Sequence, residues 1–195
     1  NFGASGALVQ QIIHGAPVDV FASADTDTMD KAVAKSAVTA AAVKIFTTNR
    51  LVLVMPMSAK QTLKQLSDLK RPEVMRIAMG VPASVPAGHY AQAALDKAGV
   101  WTELQHKIIS TQNVRQALDY LARGEVDAAF VYASDALLMA DKVKVALQVS
   151  TSTPIQYPIA KTAFSPQASV AQQFVAFMAK LHHNSTILYG LRFNM

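Results

Sequence analysis

The chain has 195 residues, 51% of them hydrophobic and 16% charged, with a formal net charge of +5 and no cysteine. That length suits one large domain or two small lobes, and that composition can bury a core, which argues against wholesale disorder. Disulfides, cysteine-ligated zinc and thiol catalysis are excluded, and no apolar run approaches the roughly 20 residues that span a bilayer.

The opening residues, Asn1-Phe2-Gly3-Ala4-Ser5-Gly6, lack the basic start and apolar core of a signal peptide, and there is no initiator Met. The chain is therefore expected to begin inside a longer protein. A helix is expected from Ser5, as its cap, to His14, with Gly15 as its stop. Val18–Ala22 reads as a short strand, and residues 25–34 as a helix with acids in its first turn and Lys31 and Lys35 near its end. Val43–Phe46 and Leu51–Met55 are strand-like, separated by the turn-prone Thr47-Thr48-Asn49-Arg50, and Pro56 ends the second run. Residues 58–69 are a helix candidate and 76–79 a buried strand. Pro86 is placed as the first residue of a helix through Ala98, with Gly99 as its stop. A short turn of helix at 101–106 precedes a strand at 107–110. Asn113 caps a helix over Val114–Ala122, and Ala128–Tyr132 is an apolar strand. A short helix at 134–140 is followed by strands at Val143–Val149 and Ile155–Ile159. Ser165-Pro166 opens a long helix to Leu181, whose apolar stripe includes Val170, Phe174, Phe177 and Met178, and a last short helix covers Ser185–Leu188. Helices and strands alternate almost throughout, which predicts an α/β fold with a mostly parallel sheet.

Three turns lead straight into helices: Gly3–Gly6, Pro82–Gly88 and Ser110–Val114. Each would present backbone N–H groups at a helix N-terminus, where the dipole binds anions without a cationic side chain. A Ser or Asn in such a turn is more often a simple cap. Tyr132 ends its apolar strand either as a core residue or as a neutral O–H donor aimed into a cleft. The basic residues, among them Lys60, Lys64, Lys142 and Lys144, are scattered, so no nucleic-acid stripe is expected. An enzyme is not expected either: Gly3-Ala4-Ser5-Gly6 is not the G-x-S-x-G elbow, and the five histidines stand in no triad context. His182-His183 lacks the i, i+4 spacing of a helical metal pair, and Asn184-Ser185-Thr186 fits a glycosylation pattern that is common by chance.

Four segments together resemble those of the periplasmic molybdate-binding proteins of ABC importers: Gly6–Asp25, with its Gly15-Ala16-Pro17-Val18-Asp19-Val20-Phe21, then Val85–Ala91, Asn113–Leu118 and Val131–Ala136. They fall in that family's order and cover essentially the whole chain. The resemblance implies a two-lobed, type II-like periplasmic binding protein, each lobe a sheet flanked by helices, joined by two hinge strands. Lobe 1 would hold residues 1–50 plus 161–195 and lobe 2 residues 51–160, with Leu51–Met55 and Ile155–Ile159 crossing the hinge. It implies a molybdate or tungstate oxyanion in the interlobe cleft, bound through its oxygens, with no cofactor and no side chain ligating the metal. Ser5 would donate its hydroxyl and N–H, Ala87 and Val114 a backbone N–H each, and Tyr132 its phenolic O–H. The partner would be an ABC permease at the inner membrane. Family members open with a strand and helix upstream of the first turn, so that segment is expected to be missing here, with weakened anion binding and exposed sheet edges that invite self-association. A binding protein for sulfate or phosphate, or the effector-sensing domain of a transcriptional regulator, would share the same plan.

Overall fold

The computed structural model describes residues 1–181; His182, His183, Asn184-Ser185-Thr186 and the helix predicted at Ser185–Leu188 lie outside the described residues. In chain order the elements are α1 (Ser5–Ile13), β1 (Val20–Ala22), α2 (Thr26–Ala34), β2 (Lys44–Asn49), β3 (Leu51–Pro56), β4 (Ile77–Gly80), α3 (Pro86–Lys97), α4 (Trp101–Leu104), β5 (Ile108–Thr111), α5 (Val114–Ala122), β6 (Ala128–Tyr132), α6 (Ala133–Leu138), β7 (Val143–Val149), β8 (Ile155–Lys161) and α7 (Ala168–Leu181). They form two compact units, residues 1–49 with 155–181, and residues 50–154.

The first unit is built on a three-stranded sheet in the order β1-β8-β2, antiparallel throughout. The mostly parallel sheet expected from sequence therefore fails here: β8 runs against both neighbours, and no crossover helix joins it to either. β8 lies wholly within this sheet. Its register with Val20–Ala22 and with Lys44–Asn49 makes residues 155–160 part of this sheet, not of the unit that contains residues 51–154. Thr47, Thr48 and Asn49, read as a turn, pair instead with Tyr157, Gln156 and Ile155. Their backbone groups gain ladder partners, and β-branched Thr suits a pleated surface. Val9 and Ile12 of α1, Met29 and Ala32 of α2, and Phe21 of β1 close the core, with Ala160 of β8.

α7 packs on β2 and β8 and begins at Ala168, three residues later than predicted, because Ser165 turns back on itself. Its hydroxyl donates to Asp19 Oδ1 at 2.6 Å and accepts from Gln167 N–H at 3.1 Å. The buried side chains of α7 are Ala171, Val175 and Met178; of the apolar stripe read from sequence Met178 is buried, whereas Val170, Phe174 and Phe177 are exposed by 61%, 48% and 57%. Aromatic content pointed to the wrong face; the smaller residues at i, i+4 and i+7 make the close approach to the sheet.

The second unit holds a five-stranded sheet in the order β5-β4-β6-β3-β7. β4 pairs in parallel with both β5 and β6, while β3 runs antiparallel between β6 and β7. β3 is buried from Leu51 to Met55, as a central strand covered on both faces must be. The helix predicted at 58–69 does not form; only a 3-10 turn, Leu66–Lys70, is present. Asp68 organises it by accepting from the N–H groups of Lys64 at 2.7 Å and Gln65 at 3.2 Å, and Arg71 pairs with it at 2.9 Å. The Lys64 amide, with those other partners, holds the Asp68 carboxyl below its ordinary value. A side chain that gathers amides in this way competes with the helical ladder.

Leu53 is fully buried at the centre of β3 between β6 and β7. Replacing it with Ala should cost about 2–5 kcal/mol through lost transfer energy and a residual cavity. Val145, 53% exposed on β7, should tolerate Ala within about 1 kcal/mol. Urea unfolding followed by circular dichroism measures both.

Candidate oxyanion-binding site

In the second unit, three chain segments leave three adjacent strands at the same end of the sheet. β4, β5 and β6 are parallel neighbours, so their carboxyl ends lie side by side, and α3, α5 and α6 start there. Ligands of open α/β sheets sit at this end.

α3 begins with Pro86 at its first position, after Val85, which offers no side-chain cap. Pro86 has no N–H to leave unpaired, and the N–H of Ala87 is among those with no acceptor inside the helix. Ala87 is buried, 1% exposed. The helix start is pressed against the end of β4. A Cβ on Gly88 would lie 2.0 Å from the carbonyl oxygen of Gly80, and a Cβ on Gly80 would lie 2.4 Å from Val85 Cγ1. Glycine is required at both positions by this approach, not by turn geometry, and neither has a positive φ.

α5 begins at Val114 behind Asn113, whose Oδ1 accepts from Gln116 N–H at 2.9 Å. Gln116 reciprocates, its Oε1 accepting from Gln112 N–H at 2.7 Å. The cap satisfies the third amide of the helix and leaves the first, that of Val114, without an intrahelical acceptor. Tyr132 stands where β6 becomes α6, 2% exposed. The sequence positions Ala87, Val114 and Tyr132 are thus brought to one end of one sheet.

Ser5 belongs to the first unit. It was expected to cap α1, and the structure corrects this: Ala4 is the N-cap residue, without a side-chain bond, and Ser5 is the first helical residue, 3% exposed. Its Oγ accepts from Ala24 N–H at 2.9 Å. That bond ties the start of α1 to the turn before α2, where Asp25 accepts from Thr28 N–H at 2.9 Å and from the Ser23 hydroxyl at 3.3 Å. A hydroxyl that accepts one hydrogen bond is polarised toward donating its proton to another partner. The Ser23-Ala24-Asp25 turn was not singled out from sequence as part of a site. Its signal was present: a strand running into Ser-x-Asp and then a helix with Thr at its third position.

A second residue that sequence reasoning passed over is Asp135, in the first turn of α6 and 4% exposed. Burial pushes its carboxyl up to about 7, against the opposing pull of Arg115 and of the backbone N–H groups of Tyr132 and Asp135. Among the described residues no group of three or more His, Asp or Glu side chains could hold a metal ion, and no helix is long and apolar enough to cross a membrane.

The family model for bacterial extracellular solute-binding proteins matches residues 1–182. YvgL of Bacillus subtilis, which carries a provisional name as an ABC transporter substrate-binding lipoprotein, is 35% identical over 91% of this chain and 68% of its own length. The Escherichia coli molybdate-binding protein ModA is 36% identical over 82% of this chain and 64% of its own. The chain therefore spans about two thirds of the length of these curated relatives. Among solved structures, the substrate-binding domain of a provisionally named molybdenum ABC transporter from Clostridium difficile superposes with a TM-score of 0.66 at 33% identity, covering 92% of this chain and 78% of that one.

Because Gly88 is confined by the Gly80 carbonyl, Gly88→Ala should push the start of α3 off the sheet and cost about 1–3 kcal/mol by overpacking. Gly3→Ala, whose Cβ would make only ordinary contact with Leu8 at 3.6 Å, is the control. Thermal unfolding reads the difference.

Proposed function

The chain belongs to the family of bacterial extracellular solute-binding proteins, and from that premise we propose that it captures a tetrahedral oxyanion, molybdate or tungstate, outside the cytoplasmic membrane and hands it to the permease of an ABC importer. The observation that carries this reading is the gathering of the Ala87 and Val114 helix starts and Tyr132 at the carboxyl ends of three adjacent strands. The names of the relatives at 35–36% identity agree in kind.

The proposed chemistry is dipolar. A dianion entering a water-poor site loses its hydration shell, and oriented N–H and O–H dipoles replace it without reorganising. Ala87 and Val114 supply one backbone N–H each at the positive ends of their helices. Tyr132 supplies a phenolic O–H; in the first unit, Ser5 carries a hydroxyl already polarised by Ala24. These donors offer dipoles rather than charges of their own, so they discriminate by dimensions. Sulfate has the same charge, symmetry and acceptor pattern as molybdate but is smaller, and donors fixed for the larger anion cannot all reach it.

Isothermal titration of molybdate, tungstate and sulfate into this chain, and into any longer natural form of it, tests the proposal. Molybdate and tungstate should bind and sulfate should not. Tyr132→Phe removes one hydrogen bond to a charged group, about 1.5–3 kcal/mol, and should weaken molybdate roughly 10- to 150-fold. Sulfate or phosphate binding in place of molybdate, or no binding by a folded protein, overturns the assignment.

A further inference from the structure

Asp135 is a buried acid for which neutral-donor capture has no use. It sits three residues beyond Tyr132, in the first turn of α6, and is 4% exposed. A first-turn acid that reaches back to the N-cap amide is an ordinary helix cap when it is solvated. This one is not solvated, and two further observations set it apart.

The first is its reach. The Asp135 carboxylate accepts from the backbone N–H of Tyr132, and the guanidinium of Arg115 acts on it from α5. Arg115 follows Val114 directly, in the first turn of α5, and α5 packs on α6. One carboxylate therefore bears on two of the elements that present anion donors. The second is its direction. Ala133, Ala136, Leu137 and Ala140 line a groove with Arg50 and Val145, so helical periodicity turns Asp135 toward the opposite face.

The elements packed on α6 are α5, β3, β6 and β7. Their charged or titratable groups are Arg115, Asp119 and Tyr120 on α5, Tyr132 on β6, Arg50 ahead of β3 and Lys144 on β7. Arg50 lies on the groove face and Lys144 donates to the carbonyl of Ala59. Arg115 is the one of these whose charge acts on Asp135.

We propose that Asp135 is a positioning residue for the second unit's anion donors and that it takes up a proton when a dianion is captured there; this rests on the oxyanion reading above. An ionised Asp135 neutralises Arg115 and repels a dianion held at the starts of α5 and α6. A protonated Asp135 keeps its place in the network, donates or accepts a hydrogen bond, and no longer repels the anion. Burial supports the proton balance. With its carboxyl raised to about 7, Asp135 is part-ionised at neutral pH, and a nearby dianion raises it further. The sign follows from linkage: proton uptake on binding gives full affinity below about pH 7 and a loss of affinity as pH rises above it, at most tenfold per pH unit for one proton.

The test is titration of molybdate, a dianion throughout, from pH 6 to 8.5, in pairs of buffers that differ in ionisation enthalpy. The wild-type protein should lose affinity by roughly three- to thirtyfold across that range, with fractional proton uptake near pH 7 to 8. Asp135→Asn keeps shape and hydrogen bonding without the charge; it should bind with a flat profile and at pH 8.5 at least as tightly as wild type. Asp135→Ala, which loses the acceptor for the Tyr132 amide, should be flat and weaker at every pH. Wild-type binding without proton uptake, or an unchanged pH profile in Asp135→Asn, overturns the proposal and leaves the oxyanion reading standing. Absence of binding at every pH in all three folded proteins sinks the oxyanion reading and this inference with it.

Discussion

A backbone N–H at the start of a helix has no acceptor within that helix, and where it is buried it must find one elsewhere. In the second unit this constraint is imposed at the ends of three neighbouring strands, because β4, β5 and β6 run parallel and each is followed by a helix. Much of the local sequence serves that arrangement. Gly80 and Gly88 let α3 start against the end of β4. Asn113 satisfies one amide of α5 and spares another. β3, buried from Leu51 to Met55 and running antiparallel between β6 and β7, fixes the strand that ends in Tyr132. A site made of main-chain dipoles is only as well placed as its scaffold, so its specificity is distributed over packing residues that touch no ligand.

Much of this was legible in the residues themselves. Pro86 at the first helical position, Asn113 as a cap and the glycines after α1 and α3 mark boundaries by local stereochemistry, and the structure places them as read. Part of what failed depended on pairing between distant segments. Thr47–Asn49 looked like a turn until β8, more than a hundred residues away, supplied a ladder. Residues 58–65 carry a helical pattern, but Asp68 collects their last amides. Val170, Phe174 and Phe177 form a genuine apolar stripe on α7 that the sheet does not cover. Periodicity reports that a face exists and not which face is buried.

The site positions show the same division. Ala87 and Val114 have unremarkable side chains, and no residue-type argument selects them; the turns around them do. Ser5 was given the wrong local role, because a Ser before a helix resembles a cap whether its oxygen serves that helix or another segment's amide, here that of Ala24. Asp135 was invisible because its significance lies in burial, which a single acid within an otherwise apolar stretch does not announce.

The central claim is that helix-start amides of the second unit bind the oxyanion. Crystals grown with tungstate, with data collected at a tungsten absorption edge, would test it most directly. The account predicts one strong anomalous peak at the carboxyl ends of β4, β5 and β6, with oxygens within hydrogen-bond reach of the Ala87 and Val114 N–H groups and of the Tyr132 hydroxyl. A tungsten peak elsewhere on the molecule, or at this place but held by lysine and arginine side chains with those amides unengaged, would contradict it.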